Sequence, residues 1–173
     1  MNTENNTFEL FAEACYVFNE VAEKSTKVSF NDIYQQYKLI EEELKETKDA
    51  LATNNPQEVL DGAIDVLVTT IGLLQKLENL GVNVSRGLTK TAVNNMTKFV
   101  YTEADALETV DMYDKQKEDV FVTYNAKHDC FVIKDKHDKV RKPSTFLRNT
   151  LDDCIPDNLK EGFEDFSTIV DED

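Results

Sequence analysis

Two stretches of this chain concentrate carboxylates at spacings that could serve a cation. The first carries Glu41, Glu42, Glu43 and Glu46; the second carries Glu58, Asp61 and Asp65. At the helical rotation of about 100° per residue, Glu43 and Glu46 share a stripe with Leu39 at the edge of an apolar seam. By the same geometry Glu58, Asp61 and Asp65 fall within about 60° of arc. Asp65 is the informative member, because it is the only charge between Ala63 and Leu74. An unpaired carboxylate among apolar neighbours costs several kcal/mol, so it calls for a cation partner, either a lysine or a metal. Taken alone, the glutamate run reads as a solvated helix face. Taken together, two helices offering carboxylates at i, i+3 and i, i+4 beside a shared seam form an all-oxygen donor set. Such donors suit Mg²⁺ or Mn²⁺ rather than zinc.

The elements that must position these groups are helices. Five Gly and three Pro in 173 residues leave the chain poorly punctuated up to about Asp119. Apolar spacing predicts a first helix over Thr7 to Glu23. A second begins with Ser29 or Asn31 as N-cap. Its predicted seam is Ile33, Tyr37, Ile40, Leu44, Thr47, Leu51, the stripe of a helix packed at a shallow angle on others. Asn54, Asn55 and Pro56 end it. The third helix, Pro56 to Leu80, is apolar on nearly every face and is expected to be central and buried, with Gly81 closing it. A fourth runs from Val84 to about Phe99 and another from Glu103 to Lys117. The period then changes to two. Val120 to Tyr124 and Cys130 to Ile133 read as strands, and Lys139 to Arg141 as a third. The expected architecture is a mainly α helical bundle over residues 1–119, an appended β-meander over 120–143 and an acidic segment over 144–173.

Composition narrows the function classes. With 19 Lys and Arg against 34 Asp and Glu, the formal charge is −15. Such a surface repels nucleic-acid backbones and anionic membranes. No apolar run approaches the roughly 18 residues of a membrane span. Met1 to Thr7 is polar and lacks a signal-peptide pattern, and three scattered cysteines suit a reducing compartment, so a cytoplasmic location is expected. A phosphate-binding G-x-x-x-x-G-K-[ST] loop and a Ser/His/Asp arrangement are both missing from the sequence. His128 and His137 fall in predicted turns, without a ligand partner at useful spacing.

Leu39-Ile40-Glu41-Glu42-Glu43-Leu44-Lys45-Glu46 resembles the E-E-x-x-E helix of the all-α nucleotide pyrophosphohydrolases, the superfamily of MazG, dimeric dUTPases, dCTP pyrophosphatases and phosphoribosyl-ATP pyrophosphohydrolase. Asp65-Val66-Leu67-Val68 resembles the aspartate and apolar run of its second motif, E-x-x-D. Asn95-Met96-Thr97-Lys98 resembles the N-x-x-K segment of a MazG-like, phage-type subgroup. Phe131 to Asp135, followed by Lys139-Val140-Arg141-Lys142-Pro143, resembles that subgroup's strand and G-K-V-L-K-P turn. The sequence departs from the pattern at Gly62, where the motif glutamate would stand, at Ala92 in place of a histidine, and at Asp138 in place of the glycine before Lys139.

The resemblance implies metal-dependent hydrolysis of a (deoxy)nucleoside triphosphate to monophosphate and pyrophosphate. It assigns the metal, Mg²⁺ or Mn²⁺, to Glu43, Glu46, Asp61 and Asp65, with Glu42 or Glu43 accepting the proton of the attacking water. Three registers are open for the second motif: Gly62 with Asp65, Glu58 with Asp61, or Asp61 with Asp65, the last being favoured. Lys98 and Lys142, with Lys139 behind them, are the candidate phosphate clamps, and Asn95 a phosphate or sugar contact. Asn19 is a candidate reader of a base edge. Phe11 and Phe18 are expected in the core, with a place beside the base as the alternative. A homodimer or homotetramer is implied. The rival class is a relative that binds nucleotide, or a basic protein, without cleaving anything.

Overall fold

The computed structural model describes residues 7–22 and 28–160. It is mainly helical, with a small three-stranded antiparallel sheet. The chain divides into two compact units, residues 1–84 with 154–173, and residues 85–153. All of the net charge lies in the first. Residues 85–153 hold 12 basic and 12 acidic side chains and are formally neutral.

Among the described residues the long helices of the first unit are α1 (Thr7–Val21), α2 (Phe30–Ala52) and α3 (Pro56–Asn79). Ser29 is the N-cap of α2. Its hydroxyl accepts from the Asp32 N–H, and the Asp32 carboxylate accepts from the Ser29 N–H, a reciprocal capping box. Asn55 caps α3, and Pro56 occupies its first turn, where a missing N–H costs nothing. Gly81 follows α3 with φ of +95°, a conformation that glycine adopts without strain.

α2 and α3 form an antiparallel hairpin, and its seam differs from the predicted one. Of the predicted seam Ile33, Ile40 and Thr47 are half-buried, but Tyr37, Leu44 and Leu51 are 45%, 53% and 62% exposed, and Tyr34, Gln36, Glu43 and Ala50 turn inward instead. The helix is rotated by about one residue from the apolar expectation. The reason lies on α3, which presents Gly62 and Gly72 to its neighbour. A Cβ built on Gly62 would stand 2.5 Å from Thr47 Oγ1, and one on Gly72 would stand 2.9 Å from Gln36 Nε2. At these two levels the close backbones admit only a slim or polar side chain, Thr47 and Gln36, while Ile40 packs between them. Nor is α3 buried all round. Gly62, Ile71, Gly72, Gln75 and Lys76 are buried, but Leu60 and Ile64 are 63% and 41% exposed. Two helices packed on a third cover only part of its circumference. α1 packs on α3 through buried Cys15 and through Tyr16, whose hydroxyl donates to Glu78 at 2.7 Å. Phe18, expected in the core, is 57% exposed; Phe11 is half-buried.

The second unit holds the rest of α4 (Val84–Met96), β1 (Phe99–Val100), α5 (Glu103–Lys115), β2 (Val120–Asn125) and β3 (Cys130–Asp135). β3 is the central strand, with Val122 opposite Ile133 and Phe99 opposite Val132. Val100, Ala106 and Ile133 form its core, with Val120, Val122 and Phe131 against them. The expected third strand at Lys139 to Arg141 is reduced to one bridge, Val140 with Lys134, and the third strand is β1, which was predicted as the end of a helix. Asn94 and Asn95 accept from the N–H groups of Thr97 and Lys98, so α4 turns out before Phe99 and frees it for pairing. Asp138 has φ of +62°. The position where the resembled turn has glycine thus keeps a glycine-like backbone, which Asp tolerates.

Candidate active site

Each carboxylate of the predicted cluster is placed by the α2–α3 seam. Thr47 and Gly62 touch at one level; Glu43 faces Asp65 one turn away, where the hairpin runs on. Burial, and then the negative charge of Asp65, followed by Glu46, Glu42 and Asp61, pushes the Glu43 carboxyl above its ordinary value. Glu43 and Asp65 are half-buried, while Glu42, Glu46 and Asp61 are exposed. Next to them an open cleft of about 290 Å³ is lined by Glu46, Asp49, Ala50, Glu58, Asp61 and Asp65. Glu58, Asp61 and Asp65 border this same cleft, so the registers left open by the sequence converge on one place. Gly62 lines it against Thr47: a Cβ here would stand 2.5 Å from Thr47 Oγ1 and 3.3 Å from Thr47 Cα, so a glutamate at this position would force α2 and α3 apart.

The cleft is uncompensated. Among the described residues, no ion pair reaches Glu43, Glu46, Asp49, Glu58, Asp61 or Asp65. The lysine partner considered for Asp65 is not found among them. As the side chains lie, no group of three or more His, Cys, Asp or Glu among the described residues stands close enough to hold a metal ion. The chemistry of the donors nevertheless fits Mg²⁺. That ion keeps several waters and is bound through one or two carboxylates plus substrate phosphates, rather than by an all-protein cage. Asp49 was not singled out in the sequence; its i, i+3 spacing from Glu46 was the available signal.

Asn19 lies between α1 and α3, half-buried, with its amide 3.5 Å from the place a Gly72 Cβ would take. The remaining predicted contacts belong to the second unit. Lys98 Nζ donates to Asn95 Oδ1 at 2.8 Å, so these two are neighbours as their spacing implied. Lys139 is exposed, and its N–H donates to the Asp135 carboxylate. Lys142 is exposed, with its ammonium 4.8 Å from the centre of the Phe146 ring, and its carbonyl accepts from the Tyr113 hydroxyl at 2.9 Å. His128 and His137 are exposed, and Cys15, Cys130 and Cys154 are buried and form no disulfide. No described helix is long and apolar enough to cross a membrane.

No curated protein and no solved structure matches the chain. One family model does, over a span that holds α2, α3 and every carboxylate of the cleft, but less than half of the chain. Residues 17–86 match phosphoribosyl-ATP pyrophosphohydrolase, a family of the all-α nucleoside triphosphate pyrophosphatase superfamily, and this supports a pyrophosphohydrolase domain over that span.

Proposed function

We propose that this protein is a metal-dependent nucleoside triphosphate pyrophosphohydrolase of MazG-like type, cleaving between the α and β phosphorus to release monophosphate and pyrophosphate. The observation that carries this is the cluster of carboxylates, without a cationic side chain, between two helices that match a pyrophosphohydrolase family. Glu43, Glu46, Asp61 and Asp65 would hold Mg²⁺ or Mn²⁺, which supplies charge neutralisation for the triphosphate and a more acidic water. Glu43, already more basic than an ordinary glutamate, accepts the water proton, with exposed Glu42 as the alternative acceptor. Water oxygen bonds to the α phosphorus as the bond to the bridging oxygen breaks. Asn95, Lys98, Lys139 and Lys142 are assigned to phosphate and sugar, and Asn19 to the base, on the resemblance of their segments.

The same reading includes self-association. Tyr37, Leu44 and Leu51 recur at seven-residue intervals on α2, and all are exposed, as are Leu60 on α3 and Val17 on α1. The stripe on α2 supports an interaction face, and a homodimer or homotetramer through these helices would cover it. A cytoplasmic location is kept as part of the proposal.

The test is pyrophosphate release from a panel of NTPs and dNTPs with Mg²⁺, with Mn²⁺ and with chelator. Metal-dependent release supports the reading; no release from any of them overturns it. A second reading, nucleotide binding without cleavage, is favoured by the lack of three converged ligands among the described residues. It predicts saturable binding of nucleotide in the same panel without pyrophosphate.

A further inference from the structure

We infer that Gln36 is a positioning residue for the carboxylate pair Glu43 and Asp65, setting the rotation of α3 relative to α2 and with it the cation affinity of the cleft. The inference rests on the reading of that cleft as a cation site. Gln36 lies on α2, seven residues and about 10 Å along the axis from Glu43 at a rise of 1.5 Å per residue. It is 7% exposed, and its Nε2 crosses the seam to donate to the Thr69 carbonyl at 3.0 Å. Thr69 is one turn beyond Asp65, and its hydroxyl donates back to the Asp65 carbonyl at 2.9 Å. The two bonds meet at Thr69, one on its carbonyl and one from its hydroxyl, which also donates to the Val66 carbonyl at 3.1 Å, and so tie α2 to the turn of α3 that carries Asp65. The same amide is seated against Gly72, where a Cβ would stand 2.9 Å from Nε2.

At the other end, Thr47 mirrors the arrangement. Its hydroxyl donates to the Glu43 carbonyl at 2.8 Å while it abuts Gly62. The level of Glu43 and Asp65 is bracketed by two glycine contacts ten residues apart on α3. The Thr47 contact is steric and sets the separation of the helices. The Gln36 contact is directional and sets their roll. Roll matters because carboxylate oxygens stand about 6 Å from the helix axis. A roll of about 10° moves them about 1 Å, enough to spoil a metal or attack geometry. Nothing in the apolar pattern of α2 requires a glutamine here, and a buried amide is costly unless it is bonded.

The test measures Mn²⁺ binding to the full chain without nucleotide, by the loss of free-ion paramagnetic resonance, beside far-UV circular dichroism and pyrophosphate release. Gln36→Met keeps the shape and removes the donor. It should remain helical and bind Mn²⁺ about 10-fold more weakly, the lower range for losing an outer-shell partner, with the Mg²⁺ midpoint of activity raised. Gln75→Met is the control. Gln75 is 4% exposed, and its Nε2 donates to the Tyr16 carbonyl of α1, away from the carboxylates. This variant should bind Mn²⁺ like the wild type. Unchanged binding in Gln36→Met, or equal weakening in both variants, overturns the positioning role while leaving the cation site intact. Absence of Mn²⁺ binding by the wild type overturns the cation site itself. Should Gln36→Met fail to fold, Gly72→Ala crowds the same amide; it should also weaken Mn²⁺, and unchanged binding there overturns the role.

Discussion

Replacing Gly62 by alanine tests the geometry on which the cleft depends. The added Cβ would meet Thr47 Oγ1 at 2.5 Å, and the Thr47 Cα and Cβ at 3.3 Å. Turning the threonine relieves only the first contact, and that hydroxyl is bound to the Glu43 carbonyl at 2.8 Å. The remaining contacts involve backbone, so α2 and α3 must separate by a few tenths of an ångström. Overpacking of this kind costs about 1–3 kcal/mol, while alanine in place of glycine in a helix interior returns about 1 kcal/mol. The expected net loss is about 1 kcal/mol, or about 3 °C in Tm for a chain of this size. In a Thr47→Ala background the 2.5 Å contact is gone and only the 3.3 Å contacts to Cα and Cβ remain, so most of the penalty is lifted and Gly62→Ala should be close to neutral. Urea unfolding of the four proteins then yields a coupling energy of about 1 kcal/mol between the sites. A Gly62→Ala protein about 1 kcal/mol more stable than wild type, with coupling below about 0.5 kcal/mol, would refute the close approach.

Four further outcomes are expected. Glu43→Gln and Glu46→Gln should each remove nearly all pyrophosphate release while the circular dichroism is kept, and wild-type rates in both would sink the assignment. The Glu43 carboxyl is raised in the folded protein, so folding stability falls as pH rises from the unfolded glutamate value of about 4.3 through the folded one. In metal-free buffer at pH 7 Glu43→Gln should therefore melt higher than wild type, with the gap closing below about pH 4; a gap that does not change with pH would contradict this. Glu58→Gln and Asp65→Asn, compared for pyrophosphate release, decide the register: loss in Asp65→Asn alone is expected, and loss in Glu58→Gln alone would place the second motif one turn earlier. Asp153, held by Lys90 and then Arg86, has its carboxyl lowered to about 2. Its contribution is complete above the unfolded value and is lost as pH falls through about 2, so the destabilisation by Asp153→Asn at pH 7 should shrink under acid titration monitored by circular dichroism.

Most of the helices, their caps and the two long strands are legible in the residues alone. Ser29, Asn55 with Pro56, and Gly81 act locally, through hydrogen bonds and backbone freedom within a turn, and local signals of that kind are readable without a fold. The carboxylate stripes were legible for the same reason, because helical spacing alone puts Glu43 beside Glu46 and Asp61 beside Asp65. Tertiary structure decided which face of each helix turned inward. Hydrophobic period placed Ile33, Ile40 and Thr47 correctly in the α2 seam but added Tyr37, Leu44 and Leu51, where the close glycine-bearing neighbour instead receives Gln36, Glu43 and Ala50. Gly62 read as a missing ligand, and only its distance to Thr47 shows it to be a point of contact. The pairing of Phe99 with Val132 was hidden as well, because a two-residue strand carries almost no period and owes its existence to the partner it meets across 33 residues of chain.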